Sequence, residues 1–230
     1  MTGDESAQIR VLSYNVLSLR MSEQAVAAII KACDPDIVCV QEAPRFLFWR
    51  RRIERLAAAS GLRFVAGHRR AGAVAVLVGP RIELVEAGVT RLPWRVGRHR
   101  RGVACALVGV LGRRLVVASV HLSLHADERL AHLPLIVAAV ERYAVPVVIA
   151  GDINEEDIGA AWLELGRRYQ DAYAVAPVGH GETFSALHPR RRIDAIFVDR
   201  SVTVLSCQVP DLPEVAAASD HCPLLATLAF

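Results

Sequence analysis

The amino-acid sequence predicts an α/β fold in which two mixed, mainly antiparallel β-sheets pack together and carry helices on their outer faces. Apolar runs of strand length outnumber helical patterns, and the helical patterns fall between strands in both halves of the chain. In the middle, strand-like runs follow one another across short turns at Gly79 and Gly112, which predicts antiparallel hairpins. This order of elements is typical of a layered sandwich.

The first elements are predicted from apolar runs and the polar residues that bound them. Residues 9–15 form an apolar run that ends in a polar residue, which is typical of a buried strand. Ser22 suits the N-cap of a helix, because apolar residues follow it at helical spacing. Asp34 and Pro35 end that helix, since the residue before a proline disfavours the helical conformation. The next strand is predicted at 37–41.

The remaining elements follow the same logic. A helix at about 45–59 is predicted to turn Phe48, Ile53 and Leu56 toward the core. A second helix, at about 127–143, contains Pro134 and is expected to bend there. A third helix is predicted at 158–167. The predicted strands are 63–67, 73–78, 82–89, 103–110, 115–122, 145–150, 193–198, 202–209 and 223–228.

Composition favours one compact domain over residues 1–230. The chain is 53% hydrophobic and contains no stretch that resembles a linker or a repeat. Its five cysteines are an odd number without C-x-x-C spacing, so disulfides and thiolate metal sites are not expected. The polar N-terminal segment MTGDESAQIR does not resemble a signal peptide, and no apolar run is long enough to span a membrane. We therefore expect a cytoplasmic monomer.

Polar side chains occur at the ends of many predicted strands, where the sandwich could bring them together. Singly, each has an ordinary explanation: a turn residue, an acid near a helix N-terminus, or a core histidine. Together they form a chemically coherent set, because Mg²⁺ prefers oxygen ligands and a histidine paired with a carboxylate is a common acid–base unit. The set suits hydrolysis of a phosphate ester by in-line attack of water. Its members are Asn15, Glu42, His121, Asp152, Asn154, Asp194, Asp220 and His221.

Six short motifs carry a family resemblance across nearly the whole chain. They occur in the order SYN (13–15), DPDIVCVQE (34–42), SVHLS (119–123), GDIN (151–154), RIDAIFV (192–198) and SDHCPL (219–224). In this order and spacing they resemble the endonuclease/exonuclease/phosphatase superfamily, which has the fold of pancreatic deoxyribonuclease. The resemblance implies a four-layer αββα sandwich and phosphoester hydrolysis that depends on Mg²⁺, for which Mn²⁺ would substitute.

The resemblance also implies a role for each residue of the set. Glu42 would be the principal metal ligand, with Asn15 beside it and Asp220 close to the metal. Asp152 would orient or deprotonate the attacking water, and Asn154 would hold that water or a phosphate oxygen. His221 would contact the scissile phosphate and be oriented by Asp194. His121 would lie on the phosphate or leaving-group side, and Glu83 is a candidate for its acidic partner. Whether Asp152 or His221 is the general base stays open.

The sequence lacks motifs that are typical of several branches of this superfamily, and these differences narrow the class of substrate. The chain lacks the aromatic residue before R-x-D that abasic-site endonucleases have, and RRRID is not the inositol polyphosphate phosphatase motif. No exposed apolar hairpin of the kind used by secreted sphingomyelinases is evident. Two arginine runs lie near the motifs, and spaced cations suit a repeating polyanion. We therefore expect a phosphodiester in DNA or RNA as substrate, bound by Arg98, Arg101, Arg191 and Arg192.

Two other functions stay open at this point. One is a phosphodiesterase or phosphatase that acts on a small or lipid phosphate ester. The other is a catalytically silent module that binds nucleic acid. The silent module is disfavoured because every motif residue is present.

Overall fold

The computed structural model describes residues 8–69, 71–110 and 112–230. The prediction about a signal peptide depends on the polar N-terminal segment. Residues 1–7 of that segment lie outside the described residues. Within the described ranges, none of the helices is both long and apolar enough to cross a membrane. All five cysteines are buried free thiols.

Thirteen strands and six helices make up the described chain. The strands are β1 (Gln8–Asn15), β2 (Ile37–Gln41), β3 (Arg63–His68), β4 (Val74–Val78), β5 (Glu83–Arg91), β6 (Gly102–Val110), β7 (Arg113–His121), β8 (Val147–Asp152), β9 (Gln170–Asp171), β10 (Pro177–Val178), β11 (Asp194–Val198), β12 (Thr203–Gln208) and β13 (Leu224–Ala229). The helices are α1 (Glu23–Cys33), α2 (Trp49–Ala59), α3 (Ala126–Glu141), α4 (Ala160–Arg168), α5 (Ala172–Val175) and α6 (Val215–Ala218).

The strands form two mixed sheets. The first sheet has the order β10-β12-β13-β1-β2-β4-β3, and the second has the order β5-β6-β7-β8-β11-β9. Three pairs are parallel, namely β1 with β2, β10 with β12, and β7 with β8. The other pairs are antiparallel, so the predicted mixed and mainly antiparallel arrangement is confirmed.

Three apolar cores separate four layers. The central core lies between the sheets and contains residues of both, such as Val11 and Val117. A second core packs α1 and α2 against the first sheet through Ile30 and Leu56. A third packs α3 and α4 against the second sheet, with Trp162 among its members. The order of layers is helix, sheet, sheet, helix, which confirms the αββα prediction.

The structure corrects two local predictions. Phe48 was expected to face the core, but α2 begins only at Trp49 and Phe48 is 59% exposed in the loop before it. The turn at Gly79 is not a hairpin, because β4 pairs within the first sheet while β5 pairs with β6 in the second. The chain changes sheets at this point. The hairpin of β6 and β7 around Gly112 is confirmed.

Candidate active site

Three neighbouring strands of the second sheet place three polar side chains in one row. His121 ends β7, Asp152 ends β8 and Asp194 begins β11, and the register pairs Asp152 with both of the others. Nε2 of His121 lies 3.3 Å from Oδ2 of Asp152. Each of the three side chains is at least nine-tenths buried. The pleat and register of the sheet therefore fix this row without help from a loop.

The first sheet contributes a side chain that reaches across to the second. Asn15 ends β1, and its Nδ2 donates a 3.2 Å hydrogen bond to Oδ2 of Asp152. Ser219 fixes the other side of this junction. Its Oγ donates to the backbone oxygen of Asn15 at 2.7 Å and accepts from the backbone nitrogen of His221 at 3.3 Å. The ends of both sheets are thereby joined at one rim of the sandwich.

His221 and Asp194 form a buried pair at this rim. Nδ1 of His221 lies 2.9 Å from Oδ2 of Asp194, and the ring stacks at a tilt against Phe184 with the centroids 5.0 Å apart. The hydroxyl of Thr183 accepts hydrogen bonds from two backbone amides at the start of β11. Burial alone would lower the pKa of His221, but the Asp194 carboxylate opposes it, and the pKa rises to about 9. The pair therefore favours the imidazolium.

In contrast to His221, both Asp152 and His121 have pKa values shifted toward their neutral forms. Burial, followed by the nearby Asp194 carboxylate, raises the pKa of Asp152 to about 7. Burial and then Arg101 lower the pKa of His121 well below its ordinary value, so this imidazole is neutral at physiological pH. Nε2 of His221 lies 3.8 Å from Oδ2 of Asp152. The carboxyl group of Asp152, which titrates near pH 7, thus lies between the neutral imidazole of His121 and the charged imidazolium of His221.

Two further predicted residues occupy strained backbone positions at strand ends. Glu42 has a φ of +49° and Asn154 a φ of +57°, which are left-handed values that L-residues rarely adopt. The backbone nitrogen of Asn154 donates to Oδ1 of Asp152 at 2.9 Å, and its Nδ2 donates to the backbone oxygen of Leu122 at 2.9 Å. Such conformations cost free energy and occur most often at functional sites.

These groups surround a pocket of about 450 Å³. Seven residues that the sequence predicted line it, namely Glu42, Arg101, His121, Asp152, Asn154, Arg191 and His221. Asn15 and Asp194 lie behind the wall, hydrogen-bonded to Asp152 and His221, and the half-buried Asp220 precedes His221. The lining also includes residues that the sequence argument did not select: Ser18, Arg20, Arg45, Phe46, His99, Leu124, Phe184 and Ile193. The strand-end pattern therefore selected residues that meet around one pocket, whereas most loop residues of the lining carry no comparable pattern.

Comparisons with known proteins agree with this architecture. The family model of the endonuclease/exonuclease/phosphatase family matches residues 12–221. The chain belongs to this family. No protein among curated sequences matches the chain.

Solved structures match over nearly their full lengths. A protein of unknown function from Enterococcus faecalis V583 has a TM-score of 0.83 and 21% identity, with 96% of this chain and 99% of that chain covered. A family member from Bacteroides vulgatus has a TM-score of 0.83 and 22% identity, with 97% and 99% covered. A mannosyl-6-phosphatase from Bacteroides thetaiotaomicron has a TM-score of 0.81 and 18% identity, with 96% and 100% covered. At these identities the likeness shows the fold alone.

As in other members of the endonuclease/exonuclease/phosphatase family, the donor set suits a divalent cation. The ligand atoms of Asp152, Asp194 and His221 lie within 4.8 Å of one another, which is close enough to hold a metal ion. Oδ1 of Asp194 is buried and has no hydrogen-bond partner among the described residues. Carboxylate oxygens dominate the set, as hard cations require. In this structure Nδ1 of His221 is already hydrogen-bonded to Asp194, whereas Nε2 of His221 lies 3.8 Å from Oδ2 of Asp152.

The predicted substrate-binding arginines are distributed unequally around the site. Arg98 does not line the pocket and bonds Asp127 at 3.0 Å. Arg192 also lies outside the lining; it bonds Asp171 at 2.6 Å and Asp157 at 2.9 Å. Arg191 lines the pocket but pairs with Glu156 at 3.0 Å. Arg101 is inside the pocket and 3% exposed. Of the four, Arg101 is the one that the structure places deep in the site.

Two further expectations can be compared with the structure. Glu83, the candidate partner of His121, lies opposite Gly109 on β6. Gly109 in turn faces Arg114, seven residues or about 23 Å along β7 from His121, so Glu83 is not its partner. The acidic partner of His121 is Asp152.

The sequence argument found no exposed apolar segment, but Phe46 and Leu47 are 74% and 77% exposed in the loop before α2. Phe46 also lines the pocket mouth.

Proposed function

We propose that this protein hydrolyses phosphoester bonds with a divalent cation, Mg²⁺ or Mn²⁺, by in-line attack of water. The observation that carries the proposal is the buried row at the pocket floor, in which Asp152 lies between His121 and the His221–Asp194 pair. A carboxyl group with a pKa near neutrality is suited to accept a proton from water at physiological pH.

Each residue then has a defined task. Asp152 accepts the proton of the attacking water, and Asn154 positions that water or a phosphate oxygen. His221, held as imidazolium by Asp194, stabilises the negative charge that develops on the phosphate. Neutral His121, on the opposite side of Asp152, faces the leaving group. Glu42 and Asn15, with Asp220 near them, would hold the cation in place of the Asp152, Asp194 and His221 set, because Asp194 engages His221. Asn15 would have to turn from Asp152 toward the pocket to do so. When bound, the cation supplies positive charge that polarises the phosphoryl group.

The substrate is proposed to be a phosphodiester of nucleic acid, as the arginine runs of the sequence suggested. Arg101 supports this assignment, whereas Arg98, Arg191 and Arg192 are engaged by acidic side chains. A second candidate is a small phosphate ester. The size of the pocket favours it, because about 450 Å³ suits one phosphate group and a modest leaving group rather than an extended strand.

The test is a panel of phosphate esters assayed with Mg²⁺, with Mn²⁺ and with chelator. It includes single- and double-stranded DNA, RNA, sphingomyelin, inositol phosphates and sugar phosphates. We expect chelator to abolish turnover. Asp152→Asn keeps the shape of the side chain and should lower kcat by about 10²- to 10⁴-fold, the usual worth of a positioned general base. Full activity in Asp152→Asn would refute the proposed role. Tight nucleic-acid binding without turnover of any ester would indicate a silent module.

A further inference from the structure

Arg101 is a buried cation whose guanidinium group lacks hydrogen-bond acceptors among the described residues. It is 3% exposed, and both its Nε and its Nη1 are buried with no hydrogen-bond acceptor in the described part of the chain. An unpartnered guanidinium N–H in the protein interior loses its hydration without compensation. Asp152, Glu42 and Glu128 favour the charged form of Arg101, but none of them accepts a hydrogen bond from its Nε or Nη1 within the described residues. These N–H groups are therefore available to a ligand.

A second arginine repeats this pattern in the same pocket. Arg45 lines the pocket beside Arg101, and its Nε is also buried without an acceptor among the described residues. Burial is the main cause that lowers the pKa of Arg101, to about 10. The Arg45 charge lowers it further, whereas Asp152, Glu42 and Glu128 raise it. Two guanidinium groups that line one cavity attract an anion to it.

The backbone at Arg101 is held in place by close packing. A Cβ on Gly102 would lie 2.7 Å from Cβ of Ala71 and from the backbone oxygen of Thr90. A Cβ on Gly72 would lie 3.0 Å from Cα of Arg101. Both glycines are needed because the segment that contains Ala71 and Gly72 packs closely against the segment that contains Arg101 and Gly102. The guanidinium is thus presented from a rigid support, as a preorganised binding group must be.

We infer that Arg45 and Arg101 form an anion-binding subsite that takes a terminal phosphate group, that is, a phosphate monoester dianion. Three buried guanidinium nitrogens without acceptors match the three free oxygens of a terminal phosphate better than the two of a diester. Two guanidinium charges match its charge of nearly −2 at pH 7. The terminal phosphate is either the reacting group or a non-reacting end group of a longer substrate, and this assignment rests on the proposed function.

The direct test is binding of inorganic phosphate to the protein in the presence of chelator, measured by calorimetry. We expect wild type to bind phosphate at least 10-fold more tightly than the monoanion dimethyl phosphate. Arg101→Met and Arg45→Met should each weaken phosphate binding by at least 10-fold, and Arg101→Lys by less. Arg114→Met is the matched control, because Arg114 is exposed near the opposite end of the strand that carries His121. It should bind phosphate like wild type.

A stability measurement separates binding from structure. Replacing an unpartnered buried cation with an apolar side chain should leave the Tm of Arg101→Met unchanged or higher, and added phosphate should raise Tm in wild type only. A marked fall in Tm for both methionine variants would show that the arginines are structural and would overturn the inference. So would phosphate binding of wild-type strength in both variants, or no phosphate binding to wild type.

Turnover assays with cation then identify the source of the phosphate. If it is the reacting group, p-nitrophenyl phosphate is hydrolysed and Arg101→Met loses this activity. If it is an end group, 5′-phosphorylated oligonucleotides are cleaved faster than unphosphorylated ones, and Arg101→Met removes the difference. The subsite and the proposed function fail separately: phosphate binding without any turnover would leave the subsite standing, and turnover without phosphate binding would leave the proposed function standing.

Discussion

At the scale of single residues, the charge of His221 depends chiefly on the Asp194 carboxylate, to which Asp152 and Asp220 add. Asp194 bonds its Nδ1 and outweighs the burial that would otherwise favour the neutral ring. We expect Asp194→Asn to lower the pKa of His221 from about 9 to below 6.5, because burial is then unopposed by this charge. The imidazole proton signals of His221, followed by NMR against pH in the presence of chelator, measure this shift.

The same pair makes a prediction about stability. Because the folded pKa of His221 is raised, its contribution to stability is fully present below about pH 6.5 and is lost as pH rises through about 9. Chemical denaturation should show this loss in wild type and not in Asp194→Asn. Asp199→Asn is the control, since the carboxylate of Asp199 accepts hydrogen bonds from the neighbouring Ser201 and from no histidine. An unchanged His221 pKa in Asp194→Asn would contradict the assignment.

At the scale of elements, the contact between β7 and β8 requires a glycine. A Cβ on Gly151 would lie 1.9 Å from the backbone oxygen of Val120, and neither backbone is free to move within the sheet. We expect Gly151→Ala to destabilise the fold by about 2–3 kcal/mol, which for a chain of this size lowers Tm by roughly 5–10 °C. Since Asp152 follows directly, kcat should fall as well.

A matched substitution tests whether the effect is local. Gly166 lies inside α4, where an added Cβ meets nothing within 4 Å. Gly166→Ala should leave activity unchanged and raise stability by about 0.5–1 kcal/mol, because alanine favours the helix. Thermal unfolding of the two variants side by side makes the comparison. Equal Tm values for Gly151→Ala and wild type would show that β7 and β8 can move apart to accommodate the added methyl group, which would contradict this prediction.

The elements also show what a single sequence can and cannot predict. The site residues at strand ends were predictable, because apolar runs locate the strands and a shared core brings their ends together. Glu155 lies shortly before α4, where an acid is favoured, and its Oε1 accepts a hydrogen bond from the backbone nitrogen of Trp162 in that helix. Side-chain pairing in loops was not predictable. Nothing local distinguishes Arg101, aimed into the pocket, from Arg192, held by Asp171 and Asp157.

At the scale of the whole molecule, the arrangement of charge matters more than its sum. The formal net charge is only +3, and much of the arginine content is neutralised by acids from distant segments. Arg95 and Arg98 share Asp127, and Arg191 and Arg192 are paired with acids of the loop before α4. Three arginines line the pocket without an ion pair in the described ranges, namely Arg20, Arg45 and Arg101. The pocket therefore keeps unpaired positive charge, whereas these four arginines of the runs are paired with acids.

This concentration predicts a shallow salt dependence for any nucleic-acid substrate. Affinity for a polyanion falls with a log–log slope of about −0.9 for each phosphate that a cation neutralises. The three unpaired pocket arginines limit the slope to about −2.7, or roughly a 40-fold loss between 50 and 200 mM salt. If the four paired arginines also contacted phosphates, the slope would approach about −6. Binding of a short DNA duplex to Asp152→Asn across this range, by fluorescence anisotropy, distinguishes the two. A slope steeper than about −5 would show that the ion pairs open and that the arginine runs bind nucleic acid.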